Sequence, residues 1–380
     1  MFLALRELKF ARGRFGLMGA VIALIAVLMV MLSGLSSGLV NDGVSGLKSL
    51  PVTAFAFEEG TKTDNAFSRS VVDGGQLAAW RGQPHVAEAE PMGVGMANAT
   101  TGDGKQVDVT LFGVEPGSFL EPAVSEGKGL GDIAGVVLSP TAKDEGVRIG
   151  TVLTLDRLDT ELTVVGFAGG QATFGHVDVA YLPLATWQLI ASGQAAAGKP
   201  TQKQLDALEF DTASVIALQA ADGQALDHAA GDAAAHTTTK DLKESFNSSP
   251  GYEAETMTLS MIQVFLYIIC AFVVGVFFTV WTIQRRHELA VLRAIGASAG
   301  YLLRDGLTQA AILLVGFTVL GVAAGVGMGA AMPDAMPFAL ETAPIALATL
   351  LTVVLGLVGA AFAIVRISRI DPLNALGGQR

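Results

Sequence analysis

Residues 256–284, TMTLSMIQVFLYIICAFVVGVFFTVWTIQ, contain no charged side chain over more than the ~20 residues that a spanning helix needs. Three further stretches share that property, at 15–41, 306–333 and 342–365. Four such stretches in 380 residues, with 51% hydrophobic and 16% charged residues and a mean hydropathy of +0.51, exclude an ordinary soluble enzyme and point to a multi-pass membrane protein. The first stretch follows Arg6, Lys9, Arg12 and Arg14, as a secretory leader would. Its apolar core over 17–32 exceeds the usual ~7–15 residues of a leader and no clear cleavage site follows, so an uncleaved helix is expected.

Orientation follows from the basic residues, because short loops rich in Lys and Arg stay on the cytoplasmic side. Basic residues precede the first span, occupy 285–305 (Arg285, Arg286, Arg293 and Arg304) and recur in the tail at Arg366, Arg369 and Arg380. All three segments are expected in the cytoplasm. The expected order is an interfacial helix at 1–14, spans at 15–41, 256–284, 306–333 and 342–365, a cytoplasmic helix at 285–305, an outer loop at 334–341 and a cytoplasmic tail at 366–380.

The 42–255 segment is then outside. Over 39–258 there are 13 Lys and Arg against 29 Asp and Glu, a net of −16 within a chain total of −11. That balance argues against nucleic acid as a partner. The β-rich runs 152–155, 162–167 and 177–182 are bounded by Gly, Asp or Pro, whereas Ala-rich segments near 204–208 and 223–235 read as helical. The fold class expected is an α-helical membrane protein of four spans with an extracytoplasmic α+β domain inserted after the first. One cysteine, Cys270, excludes an intrachain disulfide.

Some motifs mislead. Gly193 to Lys199 has Walker spacing, but Pro200 stands where a Mg-binding hydroxyl would be, and no clear strand leads into it. Gly296-Ala-Ser298-Ala-Gly300 matches a nucleophile elbow without its strand, and reads better as the end of a helix. The histidines His85, His176, His228, His236 and His287 are scattered and predict no metal site. Small residues spaced by four, at Gly34 and Gly38 and at Gly321, Gly325 and Gly329, allow close helix approach within a protomer or between two. The methionines from Met18 to Met31 read as adaptable packing on the lipid or dimer side.

Between the second and third spans lies QRRHELAVLRAIGAS (284–298), with Leu289, Leu292 and Ile295 at helical spacing beside arginines: a short amphipathic helix at the membrane surface. This segment, the YLLRD that follows it closely, and RISRIDPLNAL at 366–376 resemble the FtsX/MacB-type permeases of ABC transporters. The order of parts, one span, a large outer domain and three spans, is similar too. The resemblance covers nearly the whole chain. It is weaker in the outer domain, where 107–114 and 150–167 look like a MacB-like core.

That resemblance implies a permease homodimer with no catalytic residues and no intrinsic cofactor or metal, driven by two copies of a separate ABC ATPase that holds the ATP and Mg. It assigns Glu288, Leu289, Val291, Leu292, Arg293, Ala294 and Gly296 to the ATPase contact. The N-terminal region, the run into 35–39 and Pro250-Gly-Tyr252 look most like the DevC/HrtB branch, which includes haem exporters. Haem export for detoxification is therefore expected, with another lipophilic cargo, or a mechanotransmitting permease that activates an outer partner, as alternatives.

Haem is a flat apolar ring whose ferric iron accepts phenolate, imidazole or carboxylate ligands. Candidate contacts are Tyr252, Glu58, Glu59 and Tyr181. Each has a plainer reading: Tyr252 as an interfacial belt residue, Tyr181 as sheet packing, and Glu58 with Glu59 as a solvated strand end.

Overall fold

The computed structural model describes residues 12–284, 288, 291, 295–333 and 336–368. The chain divides into two compact units, one made of residues 40–255 and the other of the segments before and after it. It opens with helix α1 (Arg12–Lys48). The inserted unit then contains β1 (Ala54–Glu58), α2 (Ala66–Arg69), α3 (Gly74–Arg81), β2 (Val86–Thr101), β3 (Gln106–Val114), β4 (Val124–Gly127) and β5 (Gly135–Leu138). It continues with β6 (Val152–Leu155), β7 (Thr160–Ala168), β8 (Thr173–Phe174), β9 (Val177–Pro183), α4 (Leu184–Ala191), α5 (Gln202–Asp206) and β10 (Val215–Ala220). It closes with α6 (His228–Ala235), β11 (Thr237–Asp241) and α7 (Leu242–Ser245). The chain resumes its long helices with α8 (Tyr252–Gln284), α9 (Ala299–Ala330) and α10 (Thr342–Ser368).

The helices α1, α8, α9 and α10 are each long and apolar enough to cross a membrane. Along α1 the buried Phe15, Met18, Ile22, Ile25 and Met29 recur every three or four residues, and they join a core with Cys270, Val274 and Phe278 of α8 and Leu313 and Leu314 of α9. Met18 and Met29 thus face the helix bundle of their own chain. The spaced glycines do the same work: a Cβ on Gly321 would strike the Ala23 backbone, one on Gly325 would meet Val30, and one on Gly38 would strike the Pro337 backbone. Close packing inside one protomer accounts for both glycine series.

In the inserted unit an 11-stranded sheet runs β11-β1-β10-β2-β3-β9-β5-β7-β4, with β6 beside β2 and β7, and β8 beside β9. β3 with β9 and β5 with β7 are parallel; the other pairs are antiparallel. β2 is 16 residues long and changes partner along its length, from β10 at Val86–Met92 to β3 at Gly93–Thr100. Successive side chains go to opposite faces. Ala54 and Ala56 therefore join Trp80 and Trp187 in one core, while Phe55 and Phe57 join Phe67, Phe112, Phe174 and Tyr181 in the other. The second core is an edge-to-face chain of rings, for example Phe67 on Phe174 at 5.4 Å and Phe112 on Tyr181 at 5.6 Å.

Several elements differ from the expected bounds. α1 continues to Lys48, broken at Val44 (φ −144°, ψ 15°), because Val44 and Leu47 pack into the aromatic core of the inserted unit. The Ala-rich 223–235 run is helical only from His228, where Asp227 caps the helix through Ala230 N–H. α9 starts at Ala299, so 299–305 extend a long helix and do not belong to a separate surface helix. The expected interfacial helix at 1–14 falls largely outside the described residues.

Candidate functional site

Two parts of the expected coupling segment are described. Glu288 and Val291 are helical, and the Ile295 N–H donates to the Val291 carbonyl at 3.1 Å, which continues the helical ladder. Val291 is 42% exposed and Ile295 79% exposed. Four residues apart, these two lie on one side of a helix and form an apolar ridge. Gly296 then takes a left-handed conformation (φ +104°) that ends the turn, and the Ser298 hydroxyl caps α9 by accepting from Tyr301 N–H at 3.2 Å. Ser298 is thus a helix cap. Leu289, Leu292, Arg293 and Ala294 lie outside the described residues.

The four candidate cargo residues have different surroundings. Tyr181 is 1% exposed, enclosed in the aromatic core against Phe112. Burial pushes its phenol up to about 12, against the opposing hydrogen bond with Ser49. A side chain so enclosed packs the sheet and has no face to offer a ligand. Glu58 ends β1, where its N–H donates to the Ser70 hydroxyl, and its side chain is exposed. Glu59 is exposed too, with His236 Nδ1 at 3.8 Å. Tyr252 is partly buried at the start of α8, edge-on to Phe246 at 6.0 Å. Tyr252 and Tyr181 border one aromatic core, whereas Glu59 lies beside His236 and Glu58 is exposed at the end of β1, so these contacts do not gather the four around one site.

An apolar cleft of about 310 Å³ lies between α1 and α8, lined by Leu17, Met18, Val21, Val273, Phe277 and Trp281 among others. Phe15 packs edge-on against Trp281 at 4.7 Å beside it. A wall of this composition suits an apolar ligand or an acyl chain.

His176, one of the five histidines scattered through the sequence, has a specific place. It sits in the turn between β8 and β9 at φ +65°, with Nδ1 2.9 Å from Asp42 of α1 and Nε2 3.0 Å from Glu255 of α8. Burial works against its charge, but the hydrogen bond to Asp42 and the nearby Glu255 outweigh it, and its pKa is raised above the ordinary histidine value. The sequence signal was faint: a Gly175-His176 turn, with acidic partners far away in the chain.

Four long apolar helices with an α+β domain inserted after the first are the architecture of a multi-pass membrane protein. Two family models agree: the MacB-like periplasmic core domain matches residues 15–236, more than half of the chain, and the FtsX-like permease C-terminal matches 260–372. The chain belongs to this MacB/FtsX-type family and is an ABC-type permease subunit, a class with no catalysis of its own. Proteins named hemin transport system permease protein HrtB are similar along their whole length. The one from Staphylococcus epidermidis is 24% identical over 386 residues, spanning 100% of this chain and 99% of that protein. The one from Staphylococcus haemolyticus is 22% identical over 378 residues, with the same coverage. Among solved structures, the periplasmic region of MacB from Actinobacillus actinomycetemcomitans aligns at 13% identity and a TM-score of 0.36, over 51% of this chain and 91% of that one. The extracellular domain of the ABC-type transporter YknZ from Gram-positive bacteria aligns at 14% identity and 0.31, over 45% and 84%.

Proposed function

We propose that this permease, as a homodimer, exports haem across the bacterial plasma membrane, driven by two copies of a separate ATPase that binds ATP and Mg. The similarity along the whole length to relatives named for hemin transport carries this reading. It is supported by the apolar cleft between α1 and α8, whose composition suits a lipophilic cargo. The basic segments before the first span, between the second and third, and in the tail favour a cytoplasmic location for both termini.

ATP binding draws the two ATPase subunits together, the 285–298 segments follow, and the spans close on the cargo. The exposed Val291 and Ile295 support such docking, since an apolar ridge seats in a groove of a partner and passes rigid-body motion onward. Uncharged spans fit a transporter without a proton or ion relay, which would place acids or histidines in the membrane. Of the four cargo candidates, Tyr252 retains the best case, because it is partly exposed at the start of a spanning helix.

The test is to reconstitute the chain with its cognate ATPase in lipid and measure hydrolysis with and without haem. Haem is expected to stimulate turnover. Indifference to haem overturns the cargo assignment, and stimulation by an outer protein instead favours mechanotransmission.

A further inference from the structure

The end of α1 is stitched to the β8–β9 hairpin by groups that do not titrate. Ser45 and Thr173 hydroxyls lie 2.6 Å apart, Thr173 N–H donates to Ser45 Oγ at 2.9 Å, and Gly175 N–H donates to the Gly43 carbonyl at 2.9 Å. The break at Val44 releases that carbonyl from the helix ladder, and Ser249 also donates to it. His176, at the hairpin tip, adds a link of another kind. Its two ring nitrogens face two carboxylates, Asp42 from α1 and Glu255 from α8.

An imidazole can satisfy both carboxylates only while both nitrogens carry protons, since the neutral ring has one donor and one lone pair. A lone pair facing a carboxylate at 3.0 Å is repulsive. On losing a proton, the ring therefore keeps one partner and drops the other. The α1 side remains fixed by the Ser45–Thr173 and Gly43–Gly175 bonds, and Asp42 is the less exposed acid, at 28% against 41% for Glu255. Glu255 is the partner released.

We propose that Asp42, His176 and Glu255 form a proton-operated clamp within the inserted domain, which ties the first turn of α8 to the α1 end and the hairpin when His176 is doubly protonated and frees that turn when it is not. The other groups around the ring act in the same circuit. Asp178 on β9, with Glu145 beyond it, feels the charge of Asp42, and the Tyr252 ring borders His176 across Gly43, where a methyl group would touch the two rings at 3.9 and 3.6 Å. The raised pKa of His176 sets the sign: the clamp is complete below the ordinary histidine value near 6.5 and is lost as pH rises through the higher folded value. This inference is independent of the cargo.

The test is hydrogen exchange by mass spectrometry on the full chain in nanodiscs, from about pH 6 to about pH 8.5, with rates corrected for intrinsic exchange. Protection of residues 255–258 is expected to fall about fivefold over that range while 173–179 stay protected, as expected for loss of one hydrogen bond. Glu255→Ala and His176→Asn, the latter too short to reach both acids, should each hold 255–258 at the low, pH-independent level, whereas Glu255→Gln, whose amide meets either state of the ring, should lose the pH slope without that drop. A flat wild-type profile overturns the clamp, and so does an unchanged slope in Glu255→Gln.

Discussion

In the inserted domain Trp80, Phe55, Phe67, Phe112 and Phe174 are wholly enclosed, whereas in the long helices Leu17, Phe265, Phe272, Leu347 and Phe362 are each more than half exposed. The difference is one of solvent. A water-facing domain must close its apolar surface on itself, while helices in lipid gain little by hiding Leu or Phe. What holds the helices is close backbone approach, hence the glycines at 321, 325 and 38. The same residue type thus carries different information in the two units: a phenylalanine of the inserted domain such as Phe67 or Phe112 is enclosed, whereas in the long helices phenylalanines occur both in the bundle core, as Phe15 and Phe278, and on the lipid or partner side, as Phe265, Phe272 and Phe362.

Substitutions can break that contrast. The largest effect is expected at Trp80, whose ring covers Gly231 and whose indole donates to Thr237 at 3.0 Å. Trp80→Ala should destabilise the inserted domain by about 3–5 kcal/mol, read from its chemical unfolding midpoint. Gly321→Val drives a side chain into the Ala23 backbone and should cost about 1–3 kcal/mol, measured by thermal melting in detergent. An unchanged melt would mean that helix contact is not the source of stability there.

Asp178 is a titrating counterpart. Burial raises its carboxyl to about 6 from 3.8, against hydrogen bonds from Thr141 and Ser139. The folded state therefore holds this proton more tightly than the unfolded one, and the stability it brings is lost as pH climbs from 3.8 through about 6. Asp178→Asn should remove that slope, a difference on the order of 2 kcal/mol between the ends of the window. Parallel profiles for variant and wild type would refute the assignment. The smallest effect is expected at Phe272, 71% exposed on α8. Phe272→Ala should shift protomer stability by no more than about 0.5 kcal/mol. A larger shift that depends on protein concentration would identify this face as a contact between copies.

Legibility in the sequence followed the range of the interactions. The uncharged stretches, the β-rich runs at 152–155, 162–167 and 177–182 and the 284–298 segment are local patterns, and each could be read without knowing its neighbours. The sheet order could not, because β2 serves three partners along its length and the pairs β3–β9 and β5–β7 join strands distant in sequence. Tyr181 was offered as a cargo contact because a tyrosine in a strand does not declare which face it takes; the alternation that buries it is fixed only by register against Phe112. His176 was passed over for the same reason, its partners lying 134 and 79 residues away.

The account depends most on the 284–298 segment receiving the motion of a separate ATPase. Copurification of that ATPase with the wild-type chain and with Arg293→Glu, both in detergent and with folding checked by the melting profile, tests this directly. Retention by the wild type and loss by the folded variant is the predicted result; equal retention by both would contradict it.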